Sequence, residues 1–210
     1  MSADPDPSPR AGVKIAAIVL AAGRSSRMAP RNKLLQSIGG EPIIRRVAAI
    51  ALASGARPVL VVIGHEAAAI AAALTGLDVT TIANPAYADG LSTSLRAGLR
   101  ALPAGLDGAL ICLGDMPEVE SPVLRAVMAA FTGGNAICVP VHDGRRGNPV
   151  LWGSSYFAEM MEMTGDVGAK SLMARHKERV IDVAVATDAI FQDIDAPADL
   201  ARIKQLRAEE

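Results

Sequence analysis

Short apolar runs alternate with helix-like stretches along most of the chain. Residues 13–20 are apolar apart from Lys14, and residues 58–63, 78–82, 108–113 and 135–139 are short and rich in apolar or β-branched side chains. Continuous runs of that length suit strands covered on both faces of a parallel sheet. Between them, residues 42–54 open on Pro42, read as a first-turn proline, and stop at Gly55. Residues 66–74 are alanine-rich and end near Gly76, and residues 92–102 end at Pro103. Residues 122–131 follow Ser121, a favourable N-cap, and stop at Gly133 and Gly134. This order predicts an α/β fold, a doubly wound and mostly parallel sheet with helices on both faces.

After Pro140 the rhythm changes. His142, Asp143 and Gly144 read as a turn, and residues 144–149 as a polar loop. A strand over 150–152, helical pieces over 155–163 and 169–176, a strand over 180–185 and a closing helix over 198–206 follow. There is no internal repeat and no linker. The expectation is one domain over 13–208, with an N-terminal half to about 118 and a C-terminal half from about 119, behind a polar, proline-rich tail over 1–12 that reads as disordered and lacks the apolar segment of a signal peptide.

Composition narrows the function classes. Half of the 210 residues are apolar, enough for a sizeable core. A net charge of −1 provides no general field for nucleic acid or an anionic membrane, and 3% aromatics is poor material for base stacking. No apolar run reaches the length of a membrane span. Cys112 and Cys138 stand alone in apolar runs and read as reduced core residues, so a cytoplasmic location is expected. Trp152 reads as a core anchor, and Met160, Met161 and Met163 as packing residues.

Three segments carry candidate chemistry. The first is Leu20, Ala21, Ala22, Gly23, Arg24 and onward through Arg27 and Met28 to Lys33. Small residues leaving a buried strand let backbone N–H groups approach phosphate oxygens, and Arg24, Arg27 and Lys33 bring positive charge beside them. Neither GxGxxG nor GxxxxGK[ST] is present, so the dinucleotide and P-loop fingerprints are missing; a strand-to-helix turn with solvated basic residues is the plain alternative. The second segment is Leu113-Gly-Asp-Met-Pro117. Asp115 falls just past the end of a buried strand, at the edge where open α/β sheets bind ligands, and a carboxylate there suits Mg²⁺; its plain alternative is a turn or N-cap residue. The third is residues 193–200. Asp193 and Asp195 share one face of an extended segment, either placed to meet Asp115 across a metal, while Asp195 or Asp199 is also suited to cap the last helix.

Taken together, these segments resemble the MobA-like NTP transferase family, and within it the molybdenum cofactor cytidylyltransferase branch. The motifs are LAAGRSSRM with Lys33, NPAYADGLSTSL from Asn84, GDMP from Gly114, GRRGNPVLW from Gly144, GDVGAK from Gly165 and DIDAPADL from Asp193, in order over about residues 15–206. The resemblance implies a Rossmann-like fold of the nucleotide-diphospho-sugar transferase kind and transfer of CMP from CTP to molybdopterin, with release of pyrophosphate. It implies nucleotide contacts by Leu20, Ala21, Ala22, Gly23, Arg24, Arg27, Lys33, Asn84, Gly90 and Ser94. Arg27, Lys33 and Asp115 would be catalytic, with Mg²⁺ on Asp115 and Asp195. Arg146, Asn148 and Asp166 would meet the acceptor, and a molybdenum hydroxylase would receive the product; neither nucleic acid nor membrane is expected. LAAG in place of LAGG favours the cytidylyl branch over the guanylyl one. The sequence departs from the family pattern at Ala29, Lys170, Ala196 and Ala198. The competing readings are guanylyl or other nucleotidyl transfer to a different phosphate acceptor, and an NAD(P)H-dependent oxidoreductase on the same scaffold.

Overall fold

The computed structural model describes residues 12–25, 28, 32–165 and 168–207, the side chains of 168–170 excepted. At its centre lies strand β1 (Ile15–Ala21), all seven residues of which are buried. Its alternate side chains feed two cores. Ala17, Val19 and Ala21 belong to one, and Ile18 and Leu20, followed by Ala22, to the other. A strand buried on both faces has no place for polar alternation, which is why it reads as a continuous apolar run.

A two-stranded hairpin, β2 (Ser37–Ile38) and β3 (Glu41–Pro42), leads into α1 (Ile43–Ala53). Gly39 and Gly40, both at positive φ, make its turn. Pro42, expected inside the first turn, instead ends β3 and occupies the N-cap position. The buried side of α1 carries Ile43, Ile44, Val47, Ala48 and Ala51, and Gly55, with φ +90°, follows its end as the stop signal predicts. There follow β4 (Val59–Ile63), α2 (Ala67–Ala73), β5 (Thr80–Ala83), α3 (Leu91–Arg100), β6 (Gly108–Leu113) and α4 (Ser121–Ala129). Ser121 is the first residue of α4 and not its cap; the Arg125 guanidinium donates to its hydroxyl at 3.1 Å.

Strands β1, β4, β5 and β6 are parallel, with β4 and then β5 on one side of β1 and β6 on the other. The chain winds one way from β1 to β5, then crosses back, leaving a switch point between β1 and β6. Next to β6 lie the antiparallel β9 (Val150–Gly153), then β7 (Ile137–His142) and its parallel partner β10 (Val180–Ala184). Residues 145–146, expected as loop, form a short strand, β8 (Arg145–Arg146), paired with β7 across the turn at Asp143 and Gly144. Both sequence halves therefore add strands to one sheet.

Helices α5 (Phe157–Met161) and α6 (Gly168–Arg175) share the second core with α3, where Met160 and Leu172 are fully buried. The closing helix α7 (Pro197–Leu206) joins α1, α2 and α4 on the opposite face. Trp152 is fully buried and meets Tyr156 edge-on with ring centroids 5.8 Å apart, a core anchor as expected. Both cysteines are free and buried, and burial pushes their thiols up to about 12 for Cys112 and about 11 for Cys138. Among the described residues no helix is long and apolar enough to cross a membrane.

Candidate active site

A cavity of about 500 Å³ opens at the carboxyl ends of β1 and β6, at the switch point. Of the residues expected to hold a nucleotide, Leu20, Ala22, Gly23, Arg24, Lys33, Gly90 and Ser94 line it, together with Asp115 and Asp195. Arg27 and Ala29 lie outside the described residues. Ala21 is buried at 1% in the core beneath α1, so its side chain does not reach the cavity.

Local chemistry explains how each wall is held. After β1 the chain turns at Ser25, whose φ is +51°. The Ser25 hydroxyl donates to Asn32 Oδ1 at 3.3 Å, and its oxygen accepts from the Lys33 N–H at 3.2 Å. Asn32 Oδ1 also accepts from Leu34 N at 3.0 Å, capping a one-turn 3₁₀ helix (Lys33–Leu35). The backbone of Lys33 is thus fixed at the rim. In the GDMP turn, a Cβ on Gly114 would lie 2.8 Å from the Leu20 carbonyl, so only glycine lets the turn sit against β1. Gly114 N–H donates to that carbonyl at 3.0 Å, and buried Met116 anchors the far side of Asp115.

The third segment reaches the same place from the end of the chain. Ile194 N–H donates to the Asp115 carbonyl at 3.0 Å. Asp199 Oδ2 accepts from Asp195 N at 3.0 Å and Ala196 N at 2.7 Å. Asp199 therefore caps α7, and the Asp195 side chain is turned to the cavity. Lys33 Nζ lies 2.6 Å from Asp115 Oδ2 and 3.0 Å from Asp195 Oδ1. Burial alone would lower the Lys33 pKa, but the two carboxylates outweigh it and hold the ammonium above its ordinary value. Asp193 stands close by. Partial burial, then the charges of Asp195 and Asp115, raise its carboxyl above the ordinary range, against a smaller opposing pull from Lys33.

Two oxygen donors from distant elements converge here on one cation, with the Lys33 ammonium as the stand-in. Among the described residues no group of three or more His, Cys, Asp or Glu side chains gathers as a self-contained metal cage. Two carboxylates with substrate oxygens and water completing the shell is the habit of Mg²⁺, so the residues fit such an ion.

Other expectations are placed differently. Asn84 is buried, with its amide nitrogen donating to Thr93 Oγ1 at 2.9 Å and Ser94 Oγ at 3.0 Å, and its oxygen accepting from Ala86 N at 3.1 Å. It braces the loop between β5 and α3 and does not line the cavity. Arg146 lies on exposed β8 and forks onto Asp182 of β10, at 2.6 and 3.1 Å. Asn148 donates its backbone N–H to the Ile190 carbonyl at 3.0 Å and faces a small cavity of about 20 Å³ beside Val47 and Cys112. Neither Arg146 nor Asn148 borders the large cavity at the switch point. Asp166 lies outside the described residues, as does the side chain of Lys170.

Tyr87 was not singled out from the sequence, yet it lines the cavity with the Arg24 guanidinium 5.9 Å from its ring centroid. Its signal was Gly64, where a Cβ would lie 2.6 Å from Tyr87 Cβ and 2.9 Å from Ala22 Cβ. A larger groove of about 790 Å³ runs between α4, the segment after β10 and the end of α7. It contains none of the candidate residues, and Arg207 at its edge is forked onto Glu118 at 3.0 Å for both bonds. The chemistry converges on the smaller cavity.

A sheet that opens at its switch point onto a lysine and two carboxylates has the chemistry to hold a phosphorylated ligand with its counter-cation. Residues 17–180 match the model of the MobA-like NTP transferase domain. A bifunctional protein GlmU from Anaeromyxobacter sp. (strain K) is 36% identical over 126 residues, covering 58% of this chain and 26% of that protein. The chain spans about a quarter of the length of the curated relatives it matches. A nucleotidyl transferase from Methanothermobacter thermautotroptrophicus has a similar structure, with TM-score 0.83 and 29% identity over 94% of this chain and 100% of that one. A manganese complex of Rv0371C from Mycobacterium tuberculosis H37Rv gives TM-score 0.75 and 26% identity over 92% and 99% of the two chains. The chain belongs to the MobA-like NTP transferase family.

Proposed function

We propose that this protein is a cytoplasmic nucleotidyltransferase that transfers CMP from CTP to the molybdopterin form of the molybdenum cofactor. The observation that carries nucleotidyl transfer is the meeting of Lys33, Asp115 and Asp195 at the mouth of a cavity lined by the residues after β1. The similar chain from Methanothermobacter is described as a nucleotidyl transferase, and the mycobacterial one was solved with manganese. The first supports the class of reaction and the second a divalent ion. The choice of CTP and molybdopterin rests on the ordered motifs, LAAG among them.

In this reading an acceptor phosphate oxygen attacks the α-phosphorus. The bond from that phosphorus to the bridging oxygen breaks, and pyrophosphate leaves with the electron pair. Leu20, Ala22 and Gly23 form a floor close enough for phosphate, and Arg24, Arg27 and Lys33 offset its charge. Asp115 and Asp195 would hold Mg²⁺, which supplies charge neutralisation on the phosphate oxygens. The protein's own contribution is alignment of two anions whose repulsion otherwise prevents attack. Gly90, Ser94 and Tyr87 line the same cavity, where the base and sugar would lie, with Asn84 as a brace behind them. Arg146, Asn148 and Asp166 are proposed on the acceptor side, and a molybdenum hydroxylase as recipient.

Pyrophosphate release with CTP, GTP, ATP and UTP, each with Mg²⁺ and molybdopterin, tests the assignment, with product mass identifying the transfer. Release with CTP above the others, and a product heavier by CMP, is expected. Equal turnover of all four sinks the base assignment. A second acceptor class has a specific observation in its favour: Arg146 and Asn148 do not border the cavity. Turnover with a sugar or alditol phosphate but not with molybdopterin would replace the acceptor and keep the reaction. NAD(P)H oxidation without pyrophosphate release would replace the reaction.

A further inference from the structure

We propose that Lys33 is a built-in counter-cation that keeps the Asp115–Asp195 pair gathered and must be exchanged for the divalent ion, so that nucleotide phosphates, by drawing Lys33 away, open the metal site. The inference rests on the reading of Asp115 and Asp195 as metal ligands.

The geometry argues for exchange. The Lys33 ammonium contacts Asp115 Oδ2 at 2.6 Å and Asp195 Oδ1 at 3.0 Å, between residues 82 and 162 positions away in sequence. A Mg²⁺ ion needs such oxygens at about 2.0–2.1 Å. An ammonium and a divalent ion cannot share that position, and an ion on the outer oxygens of the same carboxylates would still face the ammonium across a few ångströms. Repulsion across that distance favours the departure of one of the two cations.

Lys33 is suited to be the one that moves. Its backbone is held by Ser25 and by the Asn32 cap, so the base of the side chain stays in place. Its head is a point charge on a flexible four-carbon stem, and the residue already lines the cavity where phosphates would lie. Swinging from carboxylate to phosphate keeps the ammonium paired throughout. In the free protein the same side chain offsets the repulsion between Asp115 and Asp195 and keeps them converged. The lysine therefore protects the site from stray divalent ions until a triphosphate arrives.

The test measures metal binding and not turnover. Free Mn²⁺ is followed by electron paramagnetic resonance in wild type, Lys33→Met, Lys33→Gln and Asp115→Asn, with and without CTP. Without nucleotide, both lysine variants are expected to bind Mn²⁺ about tenfold more tightly than wild type, an ordinary size for coupling between two sites. CTP should then strengthen Mn²⁺ binding more in wild type than in either variant, and Asp115→Asn should lose the ion. If the lysine variants bind no more tightly than wild type while Asp115→Asn loses the ion, the exchange is wrong and the metal reading stands. If Asp115→Asn binds Mn²⁺ as wild type does, the metal reading falls and the exchange with it. Should removal of Lys33 unfold the chain, wild type labelled with ¹³C at lysine Cε decides. Saturating Mg²⁺ must move one lysine resonance to the position of a solvated side chain, and an unmoved set overturns the proposal.

Discussion

Two parts of the molecule carry paired charges, and they differ in what the pairs face. At the ends of β1 and β6, Lys33, Asp115 and Asp195 come from three distant segments and meet at a cavity, each side chain no more than 36% exposed. On the far side of the sheet, Arg146 and Asp182 come from strands that both flank β7, and their side chains are 43% and 50% exposed. The second pair is what any solvent-facing strand edge can form. The first needs the whole sheet to assemble it. A charged motif in sequence becomes a site when the fold turns its charge toward a shared space; otherwise it becomes a surface ion pair.

The comparison breaks most readily at Asp115. Asp115→Ala is expected to lower pyrophosphate release by about 10²–10³-fold, the scale of losing a preorganised charge-stabilising group. The circular dichroism spectrum and thermal unfolding should remain those of a folded chain. A loss below tenfold would put the two regions on an equal footing.

Gly23 provides the next largest effect. Its φ is not positive and a Cβ there meets nothing within 4 Å, so the added methyl projects into open space. Gly23→Ala should leave stability within about 0.5 kcal/mol yet weaken nucleotide binding on the order of tenfold, equal to about 1.4 kcal/mol. Calorimetric titration with CTP and Mg²⁺ measures the second and thermal unfolding the first. Unchanged affinity would mean the nucleotide does not lie against the residues after β1.

At the strand edge the expected changes are smaller. Arg146→Ala should cost no more than about 1 kcal/mol of stability, as an exposed ion pair does. The functional test is its contrast with Asp182→Ala. If Arg146 meets the acceptor, its removal raises the acceptor KM while Asp182→Ala does not. Equal effects of the two changes would leave Arg146 with a structural role alone.

The smallest effect is a pH dependence in the C-terminal half. The hydrogen bond with His176 first, then Arg175, holds the Glu159 carboxyl below its ordinary value of 4.5. A carboxyl depressed by folding contributes stability above that ordinary value and loses it as pH falls through the lowered one. Protection factors in α5 and α6, corrected for the intrinsic exchange rate at each pH, should therefore fall in acid, and Glu159→Gln should flatten that dependence. Acid-independent protection in the wild type would mean the clamp adds nothing.

Legibility in sequence follows the same physics. Strands β1, β4 and β6 are covered on both faces, so their residues are apolar almost without interruption and the sheet is readable. The β2–β3 hairpin and β8 have two residues per strand, too few for a periodic pattern, and exposed Arg145 and Arg146 pass for a loop. Lys33, Asp115 and Asp195 were readable because small or proline-flanked turns place them just past buried segments. Asn84 was harder. An amide serves a ligand and a loop equally well, and only its three hydrogen bonds show that it braces the wall. Asp193, Asp195 and Asp199 were interchangeable on paper. The bonds from Asp195 N and Ala196 N to Asp199 identify Asp199 as the cap and leave Asp195 as the carboxylate facing the cavity.

The bond from Ile194 N–H to the Asp115 carbonyl also ties the site to folding history. Until segment 193–195 has docked beside β6, Lys33 has Asp115 but not yet Asp195 as a carboxylate partner. That docking joins residues 162 positions apart, among the contacts whose loop-closure entropy is greatest. Catalytic competence would then emerge at the close of folding, and the first appearance of activity during refolding would time the docking of residues 193–195.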